Sequence, residues 1–103
     1  RAFVHAKDVV ESIKNAFDKG ENKGVIQIGP NKCTTINEIA NIIIKNLESD
    51  LKIEHDLSKP IGDVGRRANA SKAKKLLGWQ PNVPIEEGIR DLLDWIIKVK
   101  SSM

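Results

Sequence analysis

Two shortages narrow the class of protein that this sequence can encode. Its 103 residues contain one cysteine, Cys33, which excludes an internal disulfide framework and favours a reducing compartment. No apolar run approaches the roughly 20 residues that span a bilayer, and no charged-then-apolar signal pattern opens the chain. We therefore expect a cytoplasmic protein without a membrane segment.

Aromatic side chains and long runs of one charge are also scarce. The chain has two Trp, two Phe and no Tyr, and its formal net charge is only +3, with acidic residues interspersed. This composition argues against a base-stacking nucleic-acid surface, whereas a small anionic ligand needs only a local positive site. Cys33, His5 and His55 share no spacing typical of metal ligands, so we expect no metal site.

Hydrophobic periodicity and capping signals predict four helices. Asp8 is a candidate N-cap for the first, Thr35 with Glu38 forms a capping box for the second, and Gly78 ends the third. The predicted helices cover Asp8–Lys19, Thr35 to about Leu47, Asn69 or Ser71 to Leu77, and Ile85 to about Val99.

Short apolar or alternating segments between these helices predict strands at Phe3–Val4, Val25–Ile28 and Leu51–His55. The expected fold class is therefore α/β, a small domain of a few short strands with about four helices, spanning residues 1–103. So few short strands make a marginal sheet, and we expect an exposed strand edge or apolar patch and a tendency to self-associate.

A glycine-flanked arginine pair is the first candidate for ligand chemistry. Gly62 and Gly65 permit tight turns, and Arg66 and Arg67 carry planar guanidinium groups that match phosphate or carboxylate oxygens in pairs. Adjacent arginines on a polar loop can equally be solvated surface, and composition alone does not separate the two interpretations.

A second candidate is the loop 29–35, which leaves a predicted strand and enters a helix whose free N–H groups favour anions. The alternative is that this loop contains only a turn and a helix cap. We expect His5 to be a hydrogen-bonded structural residue. Lys72, Lys74 and Lys75 are interpreted as a solvated face near the end of a helix.

Four segments in order resemble motifs of the extended short-chain dehydrogenase/reductase family, the NAD-dependent nucleotide-sugar epimerases and dehydratases. Nearly the whole chain is covered, and the combination is far more specific than any one segment. The matching segments are Arg1-Ala2-Phe3-Val4-His5-Ala6-Lys7-Asp8-Val9, Ile28-Gly29 through Ile36-Asn37-Glu38-Ile39, Gly62-Asp63 through Ala68-Asn69-Ala70-Ser71-Lys72-Ala73 and Leu77-Gly78-Trp79-Gln80-Pro81, and Ile85-Glu86-Glu87-Gly88-Ile89 through Trp95.

The resemblance also implies which functions this chain does not carry. Family members hold NAD in a preceding dinucleotide-binding domain with a glycine-rich turn and a catalytic Tyr-x-x-x-Lys, and the present sequence has neither the turn nor any tyrosine. The chain thus looks like the C-terminal, substrate-binding portion of such an enzyme. We expect it to contain no catalytic or cofactor-binding residue, to be inactive alone, and to partner a dinucleotide-binding domain.

The resemblance implies that the ligand is a nucleotide-sugar whose diphosphate is held by basic residues. Arg1 matches the family's phosphate-holding arginine by its position in the first motif. Lys59, Arg66 and Arg67 match the second basic residue only by their place in the loop, because the sequence around Gly62-Asp63 departs from the usual Arg-Pro-Gly-Asp. Arg66 is the preferred contact among the three, since a guanidinium holds phosphate more specifically than an ammonium. A free-standing nucleotide- or phosphate-binding module and a non-catalytic interaction domain remain alternatives.

Overall fold

Helices dominate the computed structural model, which describes residues 1–62 and 64–102. Helix α1 packs against α3, and α2 packs against α4. The four predicted helices are confirmed, although α1 begins earlier than Asp8 and α4 ends later than Val99. The elements are α1 (Ala6–Lys19), α2 (Ile36–Asn46), α3 (Ser71–Leu77) and α4 (Ile85–Ser101). Within the described part of the chain, no helix is long and apolar enough to cross a membrane.

The N-terminus of α1 differs from the prediction. His5 is the N-cap, and its Nδ1 accepts a hydrogen bond of 3.0 Å from the Lys7 amide. The expectation that His5 is a hydrogen-bonded structural residue is thus confirmed. Asp8 is not the cap, because α1 begins two residues before it. Its carboxylate is instead 4% exposed inside the first turn.

The capping signals of α2 and α3 are confirmed more closely. Thr35 Oγ1 accepts from the Glu38 amide at 3.0 Å, and the Glu38 carboxylate accepts from the Thr35 amide at 3.1 Å, which completes the capping box. Gly78 ends α3 in the left-handed region with φ 64°, where glycine has no side-chain penalty. Ala70, and not Asn69 or Ser71, is the N-cap of α3. Asn69 still contributes to the start of this helix, because its Oδ1 accepts a hydrogen bond from the Ser71 amide.

The predicted α/β class is wrong: in residues 1–62 and 64–102 no segment forms a β-strand. The three segments expected to be strands, Phe3–Val4, Val25–Ile28 and Leu51–His55, are non-helical but do not hydrogen-bond in a ladder. Val25 illustrates the reason, because its carbonyl accepts from Lys72 Nζ at 2.8 Å and its side chain is exposed. A strand requires a neighbouring strand with successive backbone hydrogen bonds, and apolar patterning cannot supply that neighbour.

The core is small and lies around the end of α3. Ala73, Leu77 and Trp79 are almost fully buried, and Ile26, Ile28 and Ala70 pack against them. Large apolar side chains are exposed elsewhere, including Phe17 on α1 and Trp95 on α4. Self-association through such surfaces stays a prediction.

Asp8 links the first helix to the segment between α3 and α4. Its Oδ1 accepts from the Asn82 amide at 3.1 Å, and its Oδ2 accepts from the Val83 amide at 3.0 Å. The backbone carbonyl of Asp8 accepts from Trp79 Nε1 at 2.8 Å, which satisfies the buried indole. Residues more than 70 positions apart are therefore joined by three hydrogen bonds, two of them to a charged acceptor.

Replacing Asp8 by alanine is expected to lower the free energy of unfolding by about 2–4 kcal/mol, since two charge-assisted hydrogen bonds are lost. Asp8→Asn keeps the shape and one acceptor, so its loss should be about half as large. Urea denaturation followed by tryptophan fluorescence measures both. Asp18→Ala, an exposed acidic residue of the same helix, is the matched control. A loss at Asp8 no larger than that at Asp18 would contradict this account.

Candidate anion-binding site

The segment that begins the chain lies beside the loop 29–35. The main-chain nitrogen of Arg1 donates to the Thr34 carbonyl at 2.9 Å, and the Arg1 carbonyl accepts from the Thr34 amide at 2.7 Å. This reciprocal pair of bonds fixes the two backbones side by side. Thr34 is 5% exposed, so the pairing is anchored on a buried residue.

The basic loop, which runs from Lys59 to Asn69, contacts residues 27–33 at three points. The Asn69 amide donates to Gln27 Oε1 at 2.7 Å, and the Ala68 amide donates to the Pro30 carbonyl at 3.1 Å. The position of a β-carbon on Gly65 lies 3.9 Å from the sulfur of Cys33. Because the contacts advance along one segment as they retreat along the other, residues 27–33 run antiparallel to residues 65–69.

Gly29 allows the two segments to approach this closely. A β-carbon at Gly29 would lie 2.6 Å from the Cβ of Ala68, which is far inside van der Waals contact. Ala68 is itself only 9% exposed and cannot move outward without opening the contact. A glycine is therefore required by close packing at this position.

Arg1 and the basic loop thus flank one short segment, Cys33–Thr34. Arg1 lies on one side and Gly65, which precedes Arg66, on the other, and both arginines are exposed. The Arg1 guanidinium also reaches the basic loop, since its Nη2 lies 3.7 Å from where a β-carbon of Gly62 would stand. The sequence separation between Arg1 and Arg66 hides this proximity.

The other two predicted ligands are less well placed. Lys59 and Arg67 are exposed, and the contacts found in residues 1–62 and 64–102 do not join either side chain to Arg1. Lys59 belongs to a local turn in which its amide faces the Asp56 carbonyl at 3.5 Å. Asp63, the acidic half of the Gly-Asp motif, lies outside the described residues.

The electrostatics of the site are visible at Cys33. The backbone N–H of Arg66 lowers the pKa of the Cys33 thiol, because a donor favours the charged form. Glu38 opposes this effect from the start of α2.

The N-terminus of α2 is a poorer anion site than the sequence indicates. The capping box occupies the amides of Thr35 and Glu38, and the Glu38 carboxylate places a negative charge there. An approaching phosphate would be repelled by that carboxylate. At Thr35 the observed role is the helix cap.

A cavity of about 380 Å³ lies beside Gly29. Lys74 supplies the positive charge in its lining. Lys72, one of the three lysines predicted to form a solvated face, donates instead from its Nζ to the Val25 carbonyl. The lining residues are Gly29, Asn31, Asn69, Ala70, Ser71, Lys74, Gln80 and Pro81. Among the residues that the structure describes, no three His, Cys, Asp or Glu side chains cluster as metal ligands would.

Comparison with known proteins places the chain in a family. The family model described as GDP-mannose 4,6 dehydratase matches residues 1–92. A curated relative, the dTDP-D-glucose 4,6-dehydratase of Mus musculus, is 31% identical over 105 aligned residues, covering 95% of this chain and 29% of that protein. The chain therefore belongs to this family of nucleotide-sugar dehydratases and epimerases, and the resemblance to extended short-chain dehydrogenases/reductases is confirmed.

Solved structures agree with this assignment. The UDP-glucose 4-epimerase of Thermotoga maritima, crystallised with UDP-glucose, superposes with a TM-score of 0.85 at 31% identity over 96% of this chain and 32% of that one. The Bordetella bronchiseptica enzyme WbmF, solved with NADH, gives a TM-score of 0.84 at 24% identity, covers 99% of this chain and 30% of that one, and supports the fold.

The chain corresponds to a part of these proteins. It spans between 14% and 31% of the length of eight curated relatives that it matches. Activity, substrate and partners of the complete enzymes are therefore taken up below as proposals.

Sequence reasoning missed two contacts that shape the candidate site. Gln27 falls in a predicted strand, and the contact between Gly29 and Ala68 has no local signature. Each contact joins residues more than 30 positions apart. Related sequences in which the residues at positions 29 and 68 vary in size together would reveal such a contact.

Gly29→Ala is expected to destabilise the chain by about 1–3 kcal/mol, because the new methyl group overlaps Ala68. The double variant Gly29→Ala with Ala68→Gly removes the overlapping methyl and should recover part of the loss. Some loss remains because φ at Gly29 is 154°. Thermal denaturation of the two variants beside the unaltered chain measures the effect. Equal stability of the single and double variants would show that the two segments are not in contact.

Proposed function

We propose that this chain is the nucleotide-sugar-binding portion of an NAD-dependent epimerase or dehydratase, and that Arg1 and Arg66 hold the nucleotide diphosphate. The observation that carries the proposal is that the loop 29–35 contacts both arginine-bearing segments, Arg1 through Thr34 and the basic loop through Gly65 and Ala68. Family membership supplies the ligand class, since the matched family and the T. maritima relative act on nucleotide-sugars by their names.

Two guanidinium groups suit a diphosphate for a geometric reason. Each carries paired N–H donors that match two phosphate oxygens, and both remain charged at any physiological pH. Arg1 and Arg66 lie on separate segments and can bind a diphosphate from two sides. Arg66 and Arg67 are neighbours on one loop, so their side chains point in different directions. We therefore place Arg1 and Arg66 at the diphosphate and assign Lys59 and Arg67 a supporting electrostatic role.

Such a site would contribute to catalysis by positioning. Binding energy gained at the diphosphate, away from the reacting carbon atoms, orients the sugar ring and makes the later chemical step effectively unimolecular. The chain's own role in this scheme is to bind and orient. The proposal gives it no proton-transfer or hydride-transfer residue.

NAD would supply the hydride chemistry in the complete enzyme, but the described residues of this chain do not fit it. A dinucleotide pyrophosphate needs a strand, a glycine-rich turn and an open helix N-terminus. Here the capping box occupies the Thr35 and Glu38 amides and places a carboxylate at the start of α2, and the described residues contain no strand to precede such a turn. The cofactor therefore belongs to another part of the enzyme.

Arg66→Ala is expected to weaken binding of UDP or GDP about tenfold, because it removes a charge-assisted, two-pronged contact. Arg1→Ala should have a comparable effect, and Arg67→Ala a smaller one. Chemical-shift titration of the isotope-labelled chain suits the roughly millimolar affinity expected of a partial site. Added salt should weaken the complex.

Lys75→Ala is the matched control, since Lys75 is an exposed cation on α3 with the same charge. It should change the affinity by less than about twofold. Shifts that cluster around Lys72, Lys74 and Lys75, or an unchanged affinity in Arg66→Ala, would move the phosphate site away from the proposed one.

NAD is expected to show no measurable binding to this chain, for the reasons of geometry given above. Isothermal titration calorimetry with NAD, using UDP as the positive comparison, measures this directly. Micromolar binding of NAD at a single site would overturn the division of roles between this chain and the rest of the enzyme.

A further inference from the structure

We propose that His55 and Asn37 are positioning residues for the diphosphate site, because their side chains attach the chain just before the basic loop to the first turn of α2. The inference rests on the proposed function, since it concerns how the loop that carries Arg66 is held beside Arg1. Neither His55 nor Asn37 is assigned a contact with the ligand.

The contact joins two side chains that are 18 positions apart. His55 Nε2 lies 3.1 Å from Asn37 Oδ1, which is a hydrogen-bond distance. An amide oxygen can only accept, so the imidazole carries a hydrogen on Nε2 and donates it. Both side chains are exposed, so the bond adds little to the stability of the fold. Its effect lies in where it places the neighbouring chain.

A hydrogen-bonded turn connects His55 to the first basic residue of the loop. Asp56 Oδ1 accepts from the Ser58 amide at 3.0 Å and from the Ser58 hydroxyl at 2.5 Å. The Asp56 carbonyl faces the Lys59 amide at 3.5 Å. The place of Lys59 relative to α2 therefore depends on the attachment at His55.

The far end of the basic loop is attached separately, and Arg1 lies between the two attachments. The Ala68 amide donates to the Pro30 carbonyl at 3.1 Å. Between Lys59 and Ala68, the position of a β-carbon on Gly62 lies 3.7 Å from Nη2 of Arg1. Loss of the near attachment would let the loop occupy a wider range of positions beside the Arg1 guanidinium, and ordering it on the ligand would then cost more.

Substitutions of graded chemistry test the hydrogen bond itself. A glutamine side chain can present an N–H where the imidazole has Nε2, whereas alanine cannot. His55→Gln should therefore keep the affinity for UDP, and His55→Ala should weaken it about threefold, as expected for one exposed hydrogen bond. Asn37→Ala removes the acceptor and should have the same effect. The double variant His55→Ala with Asn37→Ala should lose no more than either single variant.

Chemical-shift titration of the labelled chain with UDP measures these affinities. The titrations are run at pH 8 to keep imidazole groups neutral, so that no variant changes the net charge. In His55→Ala the amide resonances of Ser58 and Lys59 should also move, and in His55→Gln they should stay close to those of the unaltered chain. Asn41→Ala removes an exposed amide side chain one turn further along α2 and is the control, which should change neither value.

The results distinguish this inference from the function on which it rests. If the unaltered chain binds UDP and His55→Ala binds it equally well, His55 has no positioning role and the diphosphate proposal stands. If His55→Gln and His55→Ala lower the affinity by the same factor, or if the two alanine losses add in the double variant, the hydrogen bond is not the cause and the inference is overturned. If the unaltered chain does not bind UDP, the proposed function fails and this role fails with it.

Discussion

The rest of the structure depends on the buried carboxylate of Asp8. A charge removed from water is tolerated only when it is well paired, and here the partners are the amides of Asn82 and Val83. The carbonyl of the same residue holds the indole of Trp79, whose ring fills the core beside Leu77. These bonds hold the start of α1, the end of α3 and the connector to α4 at one point.

The loops that carry the proposed ligand contacts are arranged around this support. Ile26 and Ile28 pack on the core that Trp79 completes, and the loop 29–35 continues from them. That loop pairs with Arg1 on one side and with the basic loop on the other. The proposed diphosphate site thus depends on a core residue that lies outside it, by way of backbone hydrogen bonds and the close approach at Gly29.

The helices were predictable from sequence because their determinants are local. Thr35 and Glu38 stand three residues apart, and Gly78 directly follows the residues that it caps, so both signals can be identified within a few positions. The β-strands were predicted wrongly because a strand is defined by its partner. The alternation at Leu51–His55 is consistent with a strand, and the described residues supply no second strand to pair with it.

The candidate site was predictable only in part, for the same reason. The arginines could be named from residue type, glycine spacing and family motif, because guanidinium chemistry is independent of fold. Their relation could not, since Arg1 and the loop that carries Arg66 meet through the loop 29–35, by contacts between residues more than 30 positions apart. Asp8 was assigned to the wrong role because a cap and a buried acceptor have the same sequence signature at the start of a helix.

A crystal structure of this chain with a bound nucleoside diphosphate tests the central claim most directly. The account predicts phosphate oxygens within about 3 Å of guanidinium nitrogens of both Arg1 and Arg66. Cys33–Thr34 should lie between the two contacts. A diphosphate seated instead in the cavity lined by Asn69 and Lys74, with neither arginine in contact, would contradict it.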